Sequence, residues 1–171
     1  MPSEITPHSR SRETDGGDSS RTVFSLSEDE TLELGRTVAR KLKGGELILL
    51  EGDLGLGKTV FARGVAIGLG LAPEDVSSPS FTLIQEYRGG RLTMFHVDLY
   101  RLASDEEIAT LGLEEIQTDR AVVLVEWGEK IPPRYRRDAI VVRLHDVGED
   151  SRRIEISGLE RDRPTERRGD A

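Results

Sequence analysis

Lys58 and Thr59 close the run Gly52-Asp53-Leu54-Gly55-Leu56-Gly57-Lys58-Thr59. The spacing is G-x-x-x-x-G-K-[ST], and each residue type in it answers a need of phosphate chemistry. Glycines let the backbone curl so that successive N–H groups face one anion. A helix starting at the same point aims its positive end there. The Lys58 ammonium would reach the β- and γ-phosphates of a nucleotide, and the Thr59 hydroxyl would ligate magnesium. The candidate ligand-contacting positions are therefore Gly52, Asp53, Leu54, Gly55, Leu56, Gly57, Lys58, Thr59 and Val60. A chance glycine-rich turn is the competing reading. Context opposes it, because an apolar strand pattern precedes the loop and a helical pattern follows.

Such a loop needs an acidic partner on a neighbouring strand to complete the metal site. Two residues qualify. Glu126 follows the apolar run Ala121 to Val125, at the edge where open α/β sheets bind ligands. Asp98 ends Phe95-His96-Val97-Asp98. The metal is assigned to Glu126, whose strand reads as the more central, and Asp98 is left to order an attacking water. Guanine readers of the common type use an Asn-Lys-x-Asp signature. The chain contains no asparagine, so ATP is the expected nucleotide, with Mg2+ beside it.

The elements that must hold these groups can be read from periodicity and punctuation. A short strand is predicted over Thr22 to Leu26, then a helix opened by the capping pair Ser27 and Glu30 and ended by Gly44-Gly45. Leu47 to Leu50 is a continuous apolar run, as in a strand buried on both faces. The glycine loop follows, then a helix from about Lys58 to Leu69. A Ser/Pro loop, Val76 to Phe81, precedes a hairpin of Thr82 to Tyr87 and Leu92 to Leu99 through Gly89-Gly90. Ser104 and Glu107 cap a short helix that stops near Gly112. Ala121 to Val125 is a second central strand. Ile140 to Leu144 and Arg153 to Ile156 form a closing pair around Gly148-Glu149-Asp150. The alternation predicts an α/β domain: a mostly parallel sheet of P-loop type flanked by helices, with antiparallel additions.

Composition bounds the domain. Of 171 residues, 36% are hydrophobic and 33% charged, and the excess polarity sits at the two ends. Residues 1–21 and 160–171 carry too few large apolar side chains to offset the entropy of ordering, so both are expected to be disordered tails around a domain of residues 22–159. A net charge of −8 argues against a protein that coats nucleic acid. The absence of cysteine removes disulfides, thiolate metal sites and thiol catalysis. There is no apolar secretory stretch at the N-terminus and no apolar run near the roughly 20 residues that cross a bilayer. A cytoplasmic protein is expected.

With these residues placed, the chain resembles the TsaE family, also called YjeE. The likeness runs over Ser27 to Ile131 in an ordered series: GDLGLGKT, SSPSFTL, HVDLYRL, the Leu111-Gly112 turn, and VEW at Val125 to Trp127. The resemblance implies the ATPase component of bacterial tRNA threonylcarbamoyladenosine synthesis. Such a protein hydrolyses ATP on a TsaB–TsaD heterodimer and supports turnover of threonylcarbamoyl transfer to adenosine 37 of tRNA, which it reaches indirectly. It implies Lys58, Asp98 and Glu126 as catalytic residues, Thr59 and Glu126 as metal ligands, and Ser77 to Thr82 as a switch sensing the γ-phosphate. Ser80 stands where the family has Thr, so the hydroxyl survives and the methyl does not. Leu56 replaces a common Ala at a position where the backbone N–H is what phosphate needs. Two alternatives stand beside this reading: a small-molecule kinase on the same loop, and a nucleotide-gated binding module with negligible hydrolysis. Ser104 to Asp119 offers little material for a kinase lid. Trp127 could wall the nucleotide site or a partner surface, or pack in the core or at its rim; His96 could be functional or packed; Tyr100 and Arg101 could face a partner or the phosphates, and Arg101 could equally be a surface salt-bridge residue. Arg134, Arg136 and Arg137 read as a solvated basic loop, or one that touches tRNA or an acidic partner. Ser27 to Thr31 is the proposed wall for adenine.

Overall fold

The computed structural model describes residues 20–159. The expected tails therefore lie outside the described residues, except for Ser20 and Arg21, the second of which opens the first strand. The chain forms strands β1 (Arg21–Ser25), β2 (Leu47–Glu51), β3 (Ile84–Tyr87), β4 (Thr93–Asp98), β5 (Ala121–Glu126), β6 (Ile140–Gly148) and β7 (Ser151–Ser157). Helices are α1 (Glu28–Ala39), α2 (Lys58–Gly68), α3 (Asp105–Ala109), α4 (Leu113–Ile116) and α5 (Pro133–Arg136). All seven strands join one sheet in the order β1-β7-β6-β2-β5-β4-β3. Its centre, β6-β2-β5-β4, is parallel, and β1, β7 and β3 add antiparallel edges.

Strands β2 and β5 are buried along their whole length, which is why they read as unbroken apolar runs. Alternate residues serve two cores. Ile48, Leu50, Val122 and Leu124 pack toward α1 and α2 with Val38, Phe61, Val65 and Leu69. Leu47, Leu49, Val123 and Val125 face the other layer, with Ile108, Leu113 and Ile131. Helices α1 and α2 approach backbone to backbone. A Cβ on Gly64 would lie 2.0 Å from the Leu32 carbonyl oxygen, and one on Gly35 2.3 Å from that of Phe61.

Several boundaries differ from the sequence reading. Helix α1 ends at Ala39, well before Gly44-Gly45, and the Arg91 guanidinium donates to the carbonyls of Ala39 and, at 2.8 Å, Leu42. Thr82 and Leu83 are not in a strand. Leu83 has φ +65° and its N–H donates to Pro79 O at 2.8 Å, so the Ser/Pro segment closes as a turn and β3 starts at Ile84. Strand β6 runs on to Gly148, beyond Leu144, and Glu149 and Asp150 make the tight turn with both φ values positive. The Ser104–Glu107 capping box forms as read. Helices α4 and α5 were not expected; each is a single turn of four residues with no periodicity to announce it.

Candidate functional site

Parallel strands end at a common edge, and the chemistry-bearing residues gather there. Gly52 follows β2 with φ +136°, Gly55 has φ +82° and Gly57 φ +99°, values that suit glycine and let the chain fold tightly between strand and helix. No side chain caps α2, so the donors of its first turn remain directed at the loop. The Lys58 ammonium donates to the carbonyls of Gly52 at 2.5 Å and Asp53 at 2.8 Å. Burial pushes its pKa below the ordinary 10.5, against the opposing pull of Glu126, Glu129, Asp53 and Asp98. Leu54 is exposed, whereas Leu56 is half-buried and packs against the α1–α2 core.

Strand β5 lies between β2 and β4, and the parallel register sets Glu126 opposite both Leu50 and Asp98. The Thr59 hydroxyl donates to Glu126 Oε1 at 2.8 Å, a contact that joins the glycine loop to the neighbouring strand end. His96 Nε2 meets the same oxygen at 2.9 Å, and a carboxylate acceptor requires that nitrogen to carry the proton. His96 is fully buried and its Nδ1 has no partner among the described residues. The question left open by sequence is thereby answered: His96 packs, and it also holds Glu126. Oxygens from Thr59 and Glu126 are the hard donors that suit magnesium.

Asp98, 2% exposed, stands one strand further from the loop. Its Oδ2 accepts from Ser78 Oγ and, at 3.1 Å, from Ser80 Oγ; its Oδ1 accepts from the Tyr100 N–H at 2.8 Å. Ser78 was missed in the sequence because nothing distinguished it from its neighbours in the Ser/Pro loop. These two serines also border an open cleft of about 630 Å³ that runs past Phe81, Tyr87 and Arg88 along β3.

Trp127 follows Glu126 with φ +60°, which turns its ring over Lys58, 4.2 Å from Nζ, and 5.1 Å from the Tyr100 ring. It walls the lysine. The exposed Tyr100 and Arg101 stand at the mouth, Arg101 stacked 4.3 Å over the ring of Phe81. Lys130 donates to three carbonyls of the chain after β4, those of Leu99, Tyr100 and Leu102, at 2.8–3.0 Å. Glu51 pairs with Arg143 at 2.8 Å and with Arg136, which also donates to Gly128 O. That corrects the solvated-loop reading of Arg136: it is fastened to the strand end beside the loop. Arg134 lies over the Tyr135 ring. Burial raises the Glu129 pKa, Glu51 adds to the rise, and Lys58 and Lys130 oppose it.

A strand, glycine loop and helix of this shape on a parallel sheet define the class, the P-loop α/β proteins. Within that class the chain belongs to the TsaE family, whose model, Threonylcarbamoyl adenosine biosynthesis protein TsaE, matches residues 25–154. Among curated proteins it is similar to the tRNA threonylcarbamoyladenosine biosynthesis protein TsaE of Treponema pallidum, 37% identical over 133 residues, 78% of this chain and 97% of that one. The protein of the same name from Bacillus subtilis is 37% identical over 78% of this chain and 83% of its own. The one from Nostoc is 39% identical over 79% and 84%. Among solved structures, Bacillus subtilis YdiB superposes with a TM-score of 0.66 at 30% identity, covering 85% of this chain and 89% of that one. No helix of the described residues is long and apolar enough to cross a membrane.

Proposed function

We propose that this protein binds ATP with Mg2+ and hydrolyses it as an accessory subunit of tRNA threonylcarbamoyladenosine synthesis. It acts with TsaD and TsaB homologues, and tRNA is engaged through them. The observation that carries the reading is the 2.8 Å bond from Thr59 to Glu126, with Asp98 in register one strand away. It groups a phosphate loop, a metal-side carboxylate and a second, separate carboxylate at one sheet edge.

Each group has a role that follows from its surroundings. The backbone N–H groups of Gly52 to Val60 cradle phosphate. Lys58 exchanges its two loop carbonyls for phosphate oxygens while Trp127 keeps water from one side. Thr59 and Glu126 hold magnesium, and His96 keeps the Glu126 carboxylate in place. Bound magnesium supplies charge neutralisation at the β- and γ-phosphates. Asp98 accepts from the attacking water once Ser80 turns its hydroxyl from Oδ2 toward the γ-phosphate, so the same serine links phosphate state to the water-orienting carboxylate.

Phosphate release should be slow for the chain alone and rise when TsaB and TsaD homologues are added together. Lys58→Ala should abolish it. An unchanged rate in the full assembly would overturn the partnership. Phosphorylated acceptor formed faster than free phosphate would make the protein a kinase.

A further inference from the structure

The flank of the phosphate loop away from Glu126 is closed by β7, where Arg152 stands in register with Ser25 of β1 and Asp146 of β6. Arg152 shares its strand face with Ile154 and Ile156, which pack in the α1–α2 core. The arginine is carried into that layer and is 8% exposed. Buried cations are normally paired with anions. Among the described residues, no carboxylate lies within ion-pair distance of this one. Asp146, directly across, is exposed and accepts from the Gly148 N–H at 2.9 Å.

The side-chain contact of the guanidinium is Thr31 Oγ1, 3.4 Å from Nη1. Thr31 is itself fully buried and tied to Ser25 Oγ at 2.7 Å. Arginine offers five N–H donors, and the rest of them are not sealed in protein, since no Arg152 nitrogen is among the enclosed, partnerless atoms. They front the phosphate loop. A Cβ added at Gly57 would lie 3.7 Å from Arg152 Nε and 3.9 Å from its Cδ.

We infer that Arg152 is a phosphate ligand, donating to the α- or β-phosphate of the bound nucleotide from the side opposite the metal acid, with Thr31 orienting its guanidinium. The inference rests on the ATP reading and extends it. A nucleotide diphosphate supplies the anion that no side chain provides, through charge-assisted bonds. Because ADP and ATP share those two phosphates, Arg152 serves both alike, whereas Ser80 and Asp98 respond to the third.

The test compares the full chain with Arg152→Gln by calorimetric titration of ADP and of ATP with magnesium, and by melting with and without ADP. The variant should lose at least about tenfold in affinity for both nucleotides in the same proportion. Its melting temperature without nucleotide should be unchanged or higher, and the rise on adding ADP should shrink. Unaltered ADP affinity would overturn the inference and leave the ATP reading standing. So would a variant that melts lower or fails to fold without nucleotide, since a guanidinium awaiting phosphate does not stabilise the free chain. If the unaltered chain binds neither nucleotide, the ATP reading falls and takes this inference with it.

Discussion

Replacing Gly64 by alanine tests the way α2 is seated, and with it the placement of Lys58 and Thr59 at the start of that helix. The added methyl would sit 2.0 Å from the Leu32 carbonyl oxygen and 3.1 Å from the Arg36 nitrogen, where ordinary contact begins near 3.4 Å. Both neighbours are backbone, so no rotamer change relieves the clash and the helices must part by roughly 1.4 Å. Parting loosens Val38, Phe61 and Val65, which are shared by the two helices in one core. Overpacking of this kind costs about 1–3 kcal/mol, and here the upper half of that range applies. Alanine returns up to about 1 kcal/mol through helix propensity. The net is a destabilisation of about 2 kcal/mol, a fall of roughly 4–8 °C in melting temperature for a domain of this size. Urea denaturation measures the first figure and calorimetry the second. ADP affinity should fall as well, because α2 carries the loop's lysine and threonine. A Gly64→Ala chain as stable as its parent would refute the close crossing.

Three further predictions concern the site. Glu126→Ala leaves the Thr59 hydroxyl and the buried His96 Nε2 without an acceptor and should cost about 1–3 kcal/mol in urea denaturation; Glu126→Gln retains an acceptor for both and should keep stability while weakening magnesium-dependent hydrolysis more than nucleotide binding. Equal stability loss in the two variants would contradict the shared hydrogen bond. Trp127 is the sole tryptophan and sits over Lys58, so saturating ADP should change the intrinsic fluorescence as the ammonium moves to phosphate; an unaltered spectrum would separate the ring from the ligand. Burial lowers the Lys58 pKa, so ADP affinity should decline as pH rises through that lowered value, before 10.5 is reached. Over the same window the unfolded chain holds the Lys58 proton more tightly than the folded one, so this residue's contribution makes the free protein more stable with rising pH. Calorimetry across the alkaline range checks the sign, and affinity that stays flat to pH 10.5 would refute it.

What the sequence made legible was whatever is written locally. The glycine loop, the apolar strands before it and before Glu126, and the capping box at Ser104 depend on neighbours a few residues apart. Sheet-edge geometry then sufficed to put Glu126 nearer the loop than Asp98, since an apolar run of β5's kind marks a central strand. Illegible were contacts whose partners come from distant elements. Arg136 looked like one of three solvated arginines, yet Glu51 is its partner from 85 residues away. Ser78 differs from Ser77 only by pointing at Asp98. Thr82 and Leu83 have the side chains of a strand, but the turn bond to Pro79 overrides that propensity. Arg152 carried no motif at all; its meaning lies in the lack of an acid around it.

The bonds from Lys130 have a mechanical consequence. This amine, from the turn after β5, grips the carbonyls that follow β4, while the Leu99 N–H reaches Glu126 O at 3.3 Å. The two acidic strand ends are thereby stitched into one plate with a fixed spacing between the carboxylates. Segment 77–83, by contrast, is attached to that plate at Asp98 by two serine hydroxyls, at β4 by the Asp98 N–H to Leu83 O bond, and at Arg101 through the ring of Phe81. A force applied at Tyr100 would thus be carried to both acids together, and the compliance that the proposed nucleotide cycle would need falls on the serine segment.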